Sequence, residues 1–252
     1  MGYSFCMKTL GVAVFYALIA ALTLNAQDTA APSSPFFPTR VGTYWIYEGT
    51  VSWFDAEKED TATERVSWRM SVDKVLRREG VIAAVLTGFP QDLDWSSGSA
   101  EPKRWLFLED SKHQVHYLNL GPDFDLSKYE KGNQNFDKFL VDDTLLFEWP
   151  MKKGAKYCDA DGKKRDDLMY CWFVASVERK KLDTVKGMPT HDLDVYELKY
   201  MSNPDDTTME LVPGIGLLSY RYHHHGTVAD TELRLVEFHA AEEGAGAPGT
   251  EP

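Results

Sequence analysis

Alternation of apolar and polar positions dominates the chain from residue 43 onward. In 65–72, Val66, Trp68, Met70 and Val72 take one side while Arg65, Ser67, Arg69 and Ser71 take the other. That period of two marks a strand with one buried face. The segment 43–53 opens with Tyr44, Trp45, Ile46 and Tyr47, residues that suit a pleated surface. Further strands are expected at 81–89, 104–108, 114–119, 168–177, 192–200, 207–212, 217–223 and 229–238. The run 81–89 is apolar on both sides, which predicts a central position in the sheet. The stretch 208–238 (TMELVPGIGLLSYRYHHHGTVADTELRLVEF) reads as strand, Pro-Gly turn, strand, Gly turn, strand. Only 123–142, highly charged and preceded by Gly-Pro, suggests a short helix or an excursion. No βαβ alternation occurs, so a parallel sheet is not expected. About ten closely spaced strands predict an all-β fold: one strongly curved antiparallel sheet or half-barrel, with a β-sandwich as the alternative.

Residues 1–26 read as a secretory signal, with Lys8 as the positive region, 9–24 as the apolar run and Ala26 at the cut. Residues 27–35 are a polar linker, 36–239 one β domain, and 240–252 a low-complexity tail; linker and tail are expected to be disordered. No later segment is apolar and long enough for a membrane-spanning helix. Export is therefore the expected address, periplasmic or extracellular. The formal net charge is −12, and −13 once Lys8 leaves. Such a balance argues against nucleic-acid binding, which needs a basic stripe for phosphates, and equally against docking on an anionic membrane face.

Beyond the signal two cysteines remain, Cys158 and Cys171, flanking the polar loop DADGKKRDDLMY. An even count in an exported chain predicts a disulfide across a hairpin. Asp159-x-Asp161-Gly162 lacks the third acidic position and the closing Glu of a calcium loop. In 223–225 the histidines His223 and His225 would share a strand face and could reach one ion, but nothing local supplies a third ligand. A solvated strand end is the ordinary reading, and no metal or cofactor is assigned. Pro213-Gly214-Ile215-Gly216 has strands on both sides and reads as a turn, not a phosphate loop. No nucleophile or metalloprotease motif occurs. The paired carboxylates Asp142-Asp143, Asp166-Asp167 and Asp205-Asp206 fall near turns and read as solvated surface.

Aromatic residues are the remaining signal, with 7 Trp, 12 Tyr and 13 Phe. Trp45, Trp68, Trp105 and Trp172 lie on expected strands. They either fill a core or line a pocket for an apolar ligand, and these four are the candidate ligand-binding residues. One pattern occurs twice: Pro38-x-Arg40-x-Gly42-x-x-Trp45 and Pro150-x-Lys152-x-Gly154-x-x-Tyr157. Each copy would launch a strand in an equivalent half of the sheet, or both are chance matches of common turn grammar.

Pro38, Gly42, Trp45 and Tyr47, with Pro213, Gly214, Ile215, Gly216 and Leu217, resemble the two motifs of a group of exported bacterial β-domains of unknown function. That group is similar to the LolA and LppX type of half-barrel carriers. The resemblance implies a curved antiparallel sheet cupping an apolar cavity; no carrier's ligand-binding residues match here. The expected function is a non-enzymatic, monomeric carrier or sensor of an apolar or lipid-like small molecule. The alternatives are a module that binds another envelope protein and, more weakly, a metal-dependent enzyme built on His223 and His225.

Overall fold

The computed structural model describes residues 36–97 and 100–242; the signal, the linker and most of the tail lie outside these residues. The described chain forms one 12-stranded antiparallel sheet: β1 Tyr44–Asp55, β2 Asp60–Arg78, β3 Val81–Thr87, β4 Arg104–Glu109, β5 Gln114–Leu120, β6 Leu145–Glu148, β7 Lys156–Cys158, β8 Cys171–Lys180, β9 Leu193–Met201, β10 Asp205–Val212, β11 Gly216–His224 and β12 Ala229–His239. The order is β6-β5-β4-β3-β2-β1-β12-β11-β10-β9-β8-β7. Consecutive strands are neighbours, except that β1 also pairs with β12, from Tyr44↔His239 to Trp53↔Ala229. The two edges, β6 and β7, come side by side, and Tyr157 Oη donates across that seam to Glu148 O at 3.2 Å. The sheet is therefore a nearly closed barrel. This corrects the half-barrel expectation and removes the sandwich, because one sheet curls round to meet itself and buries its inner face.

Period-two alternation places Trp45, Tyr47, Met70, Leu86, Phe107, Leu198, Met209 and Leu233 inside, all fully or nearly fully buried. Their polar handles are satisfied: Trp45 Nε1 donates to Ile215 O (2.7 Å) and Tyr47 Oη to Leu217 O (2.9 Å). Burial raises the Tyr47 pKa, so that hydroxyl remains a donor. One end of the barrel is stoppered by the segment before β1. Phe36 packs on Phe147 and Trp149, and Phe37 on Trp45 and Phe107.

The doubled Pro-basic-Gly-aromatic pattern is a structural repeat. Gly42 N–H donates to Val72 O (3.0 Å), Val72 N–H to Thr43 O (2.9 Å) and Thr43 N–H to Arg40 O (3.1 Å). In the second half Gly154 N–H donates to Val174 O (2.8 Å), Val174 N–H to Ala155 O (3.0 Å) and Ala155 N–H to Lys152 O (2.9 Å). Both glycines are left-handed, with φ of 91° and 83°. A bulge follows each valine, between Val72/Lys74 and between Val174/Ser176. The barrel is thus two six-stranded meanders, β1–β6 and β7–β12.

The segment 123–142 is the short-helix excursion that was expected: one short α-helix, α1 Ser127–Glu130, with 3-10 turns after it. It lies against the outside of β3–β5, where Tyr129 and Phe136 cover Val81, Ala83, Val85, Leu106 and Leu108. That cover explains why β3 is apolar on both sides: it has the barrel core on one face and a second small core on the other. Arg78 Nη2 donates to Glu130 O (2.5 Å) and Lys74 pairs with Glu130, fastening the excursion to β2. β7 stands where the second copy of the repeated pattern was expected to launch a strand, although its three residues display no period; β6, four residues long, was not anticipated for the same reason.

Candidate functional site

The barrel end opposite the Phe36–Phe37 stopper gathers the loop after β3, the end of the excursion, the 159–170 loop and the β9–β10 turn. Between them lies a cavity of about 240 Å³. Its aromatic lining is Tyr117 from β5, Tyr157 from β7, Trp172 from β8, Tyr200 from β9, Tyr222 from β11, and Tyr170 from the loop between β7 and β8. Five carboxylates share the lining: Asp94, Asp142, Asp143, Asp159 and Asp205. Among the described residues no Lys, Arg or His lines it. Lys163, off the lining, pairs with Asp142.

Each lining element has a local reason to be there. Trp172, Tyr200 and Tyr222 occupy inward positions of alternating strands, and Trp172 pairs across the ladder with Tyr200, their rings 5.2 Å apart. The disulfide Cys158–Cys171 joins the end of β7 to the start of β8, closing the loop that carries Asp159 and Tyr170. Asp159 Oδ1 accepts from Asp161 N–H (2.9 Å) and Gly162 N–H (2.7 Å), an Asx-type turn that holds this loop's backbone. The short turn Pro90–Leu93 carries the chain inward after β3: Phe89 packs on Trp105 and Tyr117, and Asp92 accepts from Trp105 Nε1 (2.9 Å) and Lys103 N–H (2.8 Å).

Two carboxylates are held by tyrosines from one strand. Tyr220 Oη donates to Asp94 Oδ2 (2.5 Å) and Tyr222 Oη to Asp205 Oδ1 (2.6 Å). Burial pushes the Asp94 carboxyl up to about 8, against the opposing hydroxyls of Tyr220 and Thr231 and with the charges of Asp205 and Asp92 adding to the rise. Burial likewise raises Tyr117 and Tyr222, and carries Tyr200 up to about 12. The ring hydroxyls therefore stay neutral at ordinary pH. Asp94 Oδ1, Gln91 Oε1 and Ser96 Oγ are shut from solvent without a hydrogen-bond partner. A buried polar atom left so costs about 1–3 kcal/mol, and three on one six-residue loop are concentrated beside the cavity. Next to them Trp95 is 58% exposed with φ of 61°, its ring edge-on to His224 at 4.3 Å.

Of the four tryptophans expected to bind ligand, only Trp172 lines this cavity. Trp45 is fully buried beside the stopper, Trp68 Nε1 donates to Gly88 O (2.7 Å), and Trp105 is held by Asp92. The other lining residues went unmarked in the sequence. Asp142-Asp143 and Asp205-Asp206 read as solvated turns, whereas Asp142, Asp143 and Asp205 face the cavity and Asp206 lies outside it. The usable signal was the inward phase of Tyr200 and Tyr222.

His223 and His225 are on the outer surface. His223 Nδ1 meets Asp230, and His225 Nε2 lies 2.8 Å from Asp206 Oδ2. Their rings are 4.7 Å apart and perpendicular. Among the described residues no group of three or more His, Cys, Asp or Glu is arranged to hold a metal ion. A broader concavity of about 620 Å³ crosses this outer face, lined largely by hydrophilic side chains such as Lys199, Thr208, Arg221 and Glu232. It is a groove on a solvated sheet face and carries less aromatic surface than the barrel mouth.

No family model and no curated protein matches the sequence. Two solved structures are similar in part. One, from Bacteroides fragilis, is described as an exported protein with a YmcC-like fold; it shares 9% identity and a TM-score of 0.38, over 81% of this chain and 98% of that one. The other, described as a lipoprotein from Parabacteroides distasonis, shares 13% identity and a TM-score of 0.40, over 83% of this chain and all of that one. Among the described residues no helix is long and apolar enough to cross a membrane.

Proposed function

We propose that this chain is an exported, non-enzymatic binding protein whose ligand is a small molecule held in the barrel mouth. The observation that carries this reading is the cavity among Tyr117, Tyr157, Trp172, Tyr200 and Tyr222. Rings supply contact area at little entropic cost, and the carboxylates beside them supply orientation. The signal-like leader supports export.

The ligand we infer is smaller and more polar than a lipid. Packed side chains such as Trp45, Tyr47, Met70 and Leu217 occupy the barrel interior that an acyl chain would need. The mouth is smaller than the 300–1,000 Å³ usual for drug-sized ligands and is ringed by acids. The alternative of a protein-docking module has less support. The exposed large apolar side chains Val41, Phe54, Trp95, Val141 and Val177 belong to five separate segments of the chain.

The test is native mass spectrometry of the protein isolated gently after export, beside a Thr207→Arg variant that fills the mouth and is checked by circular dichroism. A bound small mass, released on denaturation and missing from the variant, supports the reading. A protein that is bare in both, or equally loaded in both, overturns it.

A further inference from the structure

We propose that the ligand of the mouth is a small primary or secondary ammonium ion, seated against Tyr117, Trp172, Tyr200 and Tyr222 with its N–H groups directed at Asp94 and Asp205. This inference rests on the mouth being the binding site and adds the chemical class of what enters it.

Three independent features converge on a cation that donates hydrogen bonds. The first is charge. Asp142, Asp143, Asp159 and Asp205 line the cavity beside Asp94, which keeps its proton up to about pH 8, and no basic side chain joins them in the lining among the described residues; Lys163 engages Asp142 at the edge. An anion would enter against this field, whereas a cation is drawn in and strengthened by partial desolvation. The second is the aromatic wall. Ring faces attract an ammonium through their quadrupoles, and the effect grows away from water. Trp172 and Tyr200 meet at 5.2 Å and Tyr117 meets Trp172 edge-on at 6.3 Å, a cage built from β5, β8 and β9. The third is the pattern of unpartnered atoms. Gln91 Oε1, on a residue that lines the cavity, receives no hydrogen bond, and the Asp94 carboxyl has only the Tyr220 and Thr231 hydroxyls beside it. Tyr220 and Tyr222 each donate to one oxygen of Asp94 and Asp205, which fixes the carboxylates while leaving further acceptor capacity on both.

Other classes fit less well. A quaternary ammonium would satisfy the rings but has no N–H for the acceptors. A neutral polyol would satisfy the acceptors but gain nothing from the charge. A metal ion would need converging ligands, and no such group is present among the described residues.

Isothermal titration calorimetry tests this with 1,4-diaminobutane, its neutral counterpart 1,4-butanediol, and its hexamethylated bis-quaternary counterpart, at 20 and 150 mM salt. The expected result is 1:1 binding of the diamine at both salts, at least about tenfold tighter than either counterpart. Asp205→Asn and Tyr200→Leu should each weaken it about tenfold, and Tyr222→Phe, which removes one hydroxyl, should weaken it less. Asp230→Asn on the outer face should leave it unchanged. Diol binding as tight as the diamine overturns the ammonium assignment and leaves the mouth reading standing. Diamine binding that ignores the mouth variants, or vanishes at 150 mM salt, also overturns the assignment and reports general attraction to an acidic chain. No heat from any probe overturns it too; a small mass retained in the native spectrum and lost in Thr207→Arg then shows that the mouth takes a different class.

Discussion

Asp94 shows how one carboxyl can sit at odds with its surroundings. It is bonded to Tyr220 through one oxygen and has Thr231 beside it, yet it is buried with Asp205 and Asp92 nearby, and its pKa rises to about 8. An acid whose folded pKa exceeds its unfolded one keeps a proton that the unfolded chain has released. Stability therefore falls as pH rises from about 4 to about 8 and levels off on either side. The expected contribution is on the order of a few kcal/mol across that window. Urea midpoints measured from pH 4 to 9 should show this slope in the native protein and lose most of it in Asp94→Asn, with the variant at least as stable at pH 8.5. An unchanged slope in the variant would place the titrating group elsewhere. Little of this was legible in the sequence. Asp94 lies in a run of mixed polarity with no period, and its partner Tyr220 is 126 positions away. Tyr200, Tyr222 and Trp172 could be assigned to an inner face from alternation alone, yet alternation says nothing about which inward ring meets a cavity and which meets a neighbour. That is why Trp172 reaches the site while Trp45, read with equal weight, is core.

At the scale of elements, the two strand-launching turns are the most testable feature. Gly42 and Gly154 hold matching left-handed backbones and matching hydrogen bonds at the entrances to β1 and β7. A Cβ at Gly154 would touch nothing within 4 Å, and at Gly42 only Ala241 at 3.8 Å, so an alanine costs the backbone term alone. Each Gly→Ala change should lower stability by roughly 1–2 kcal/mol, with the two values similar. Denaturant titration of both variants checks this, and a large difference would argue against equivalent roles. The disulfide belongs to the same scale, because it ties the three-residue β7 to the start of β8. Replacing both cysteines by serine should cost about 3 kcal/mol and expose Lys163, Lys164 and Arg165 to trypsin; equal cleavage rates with and without the bridge would refute a role in ordering the loop. The turn grammar and the cysteine pair were readable in advance because each is a local pattern. The excursion was readable as an excursion from its charge and its Gly-Pro start, but its role as a cover was not, since Tyr129 and Phe136 take meaning only from the face of β3 and β4 beneath them.

For the whole molecule, a sheet of many short antiparallel strands was legible, but its degree of closure was not. Closure depends on β6 and β7 meeting through Tyr157 and Glu148, contacts that involve the two shortest strands. A ten-strand reading without them leaves an open cup; adding them brings the edges together and converts a cup for lipid into a packed barrel with a mouth at one end. The same closure has a consequence for how the chain is threaded. The first and last strands form a full ladder, and Ala241 N–H donates to Thr43 Oγ1 at 3.2 Å, so the two ends of the domain are neighbours. The seam between β6 and β7 holds no such ladder. A circular permutant that begins at Met151, ends at Pro150 and joins residue 242 to residue 36 by a short flexible linker would retain every strand ladder. It should fold to the same barrel, with a far-ultraviolet spectrum and a disulfide like those of the parent. In spatial terms the natural ends and the mid-chain seam are interchangeable openings of one ring, and the order in which the two halves are synthesised is free to change.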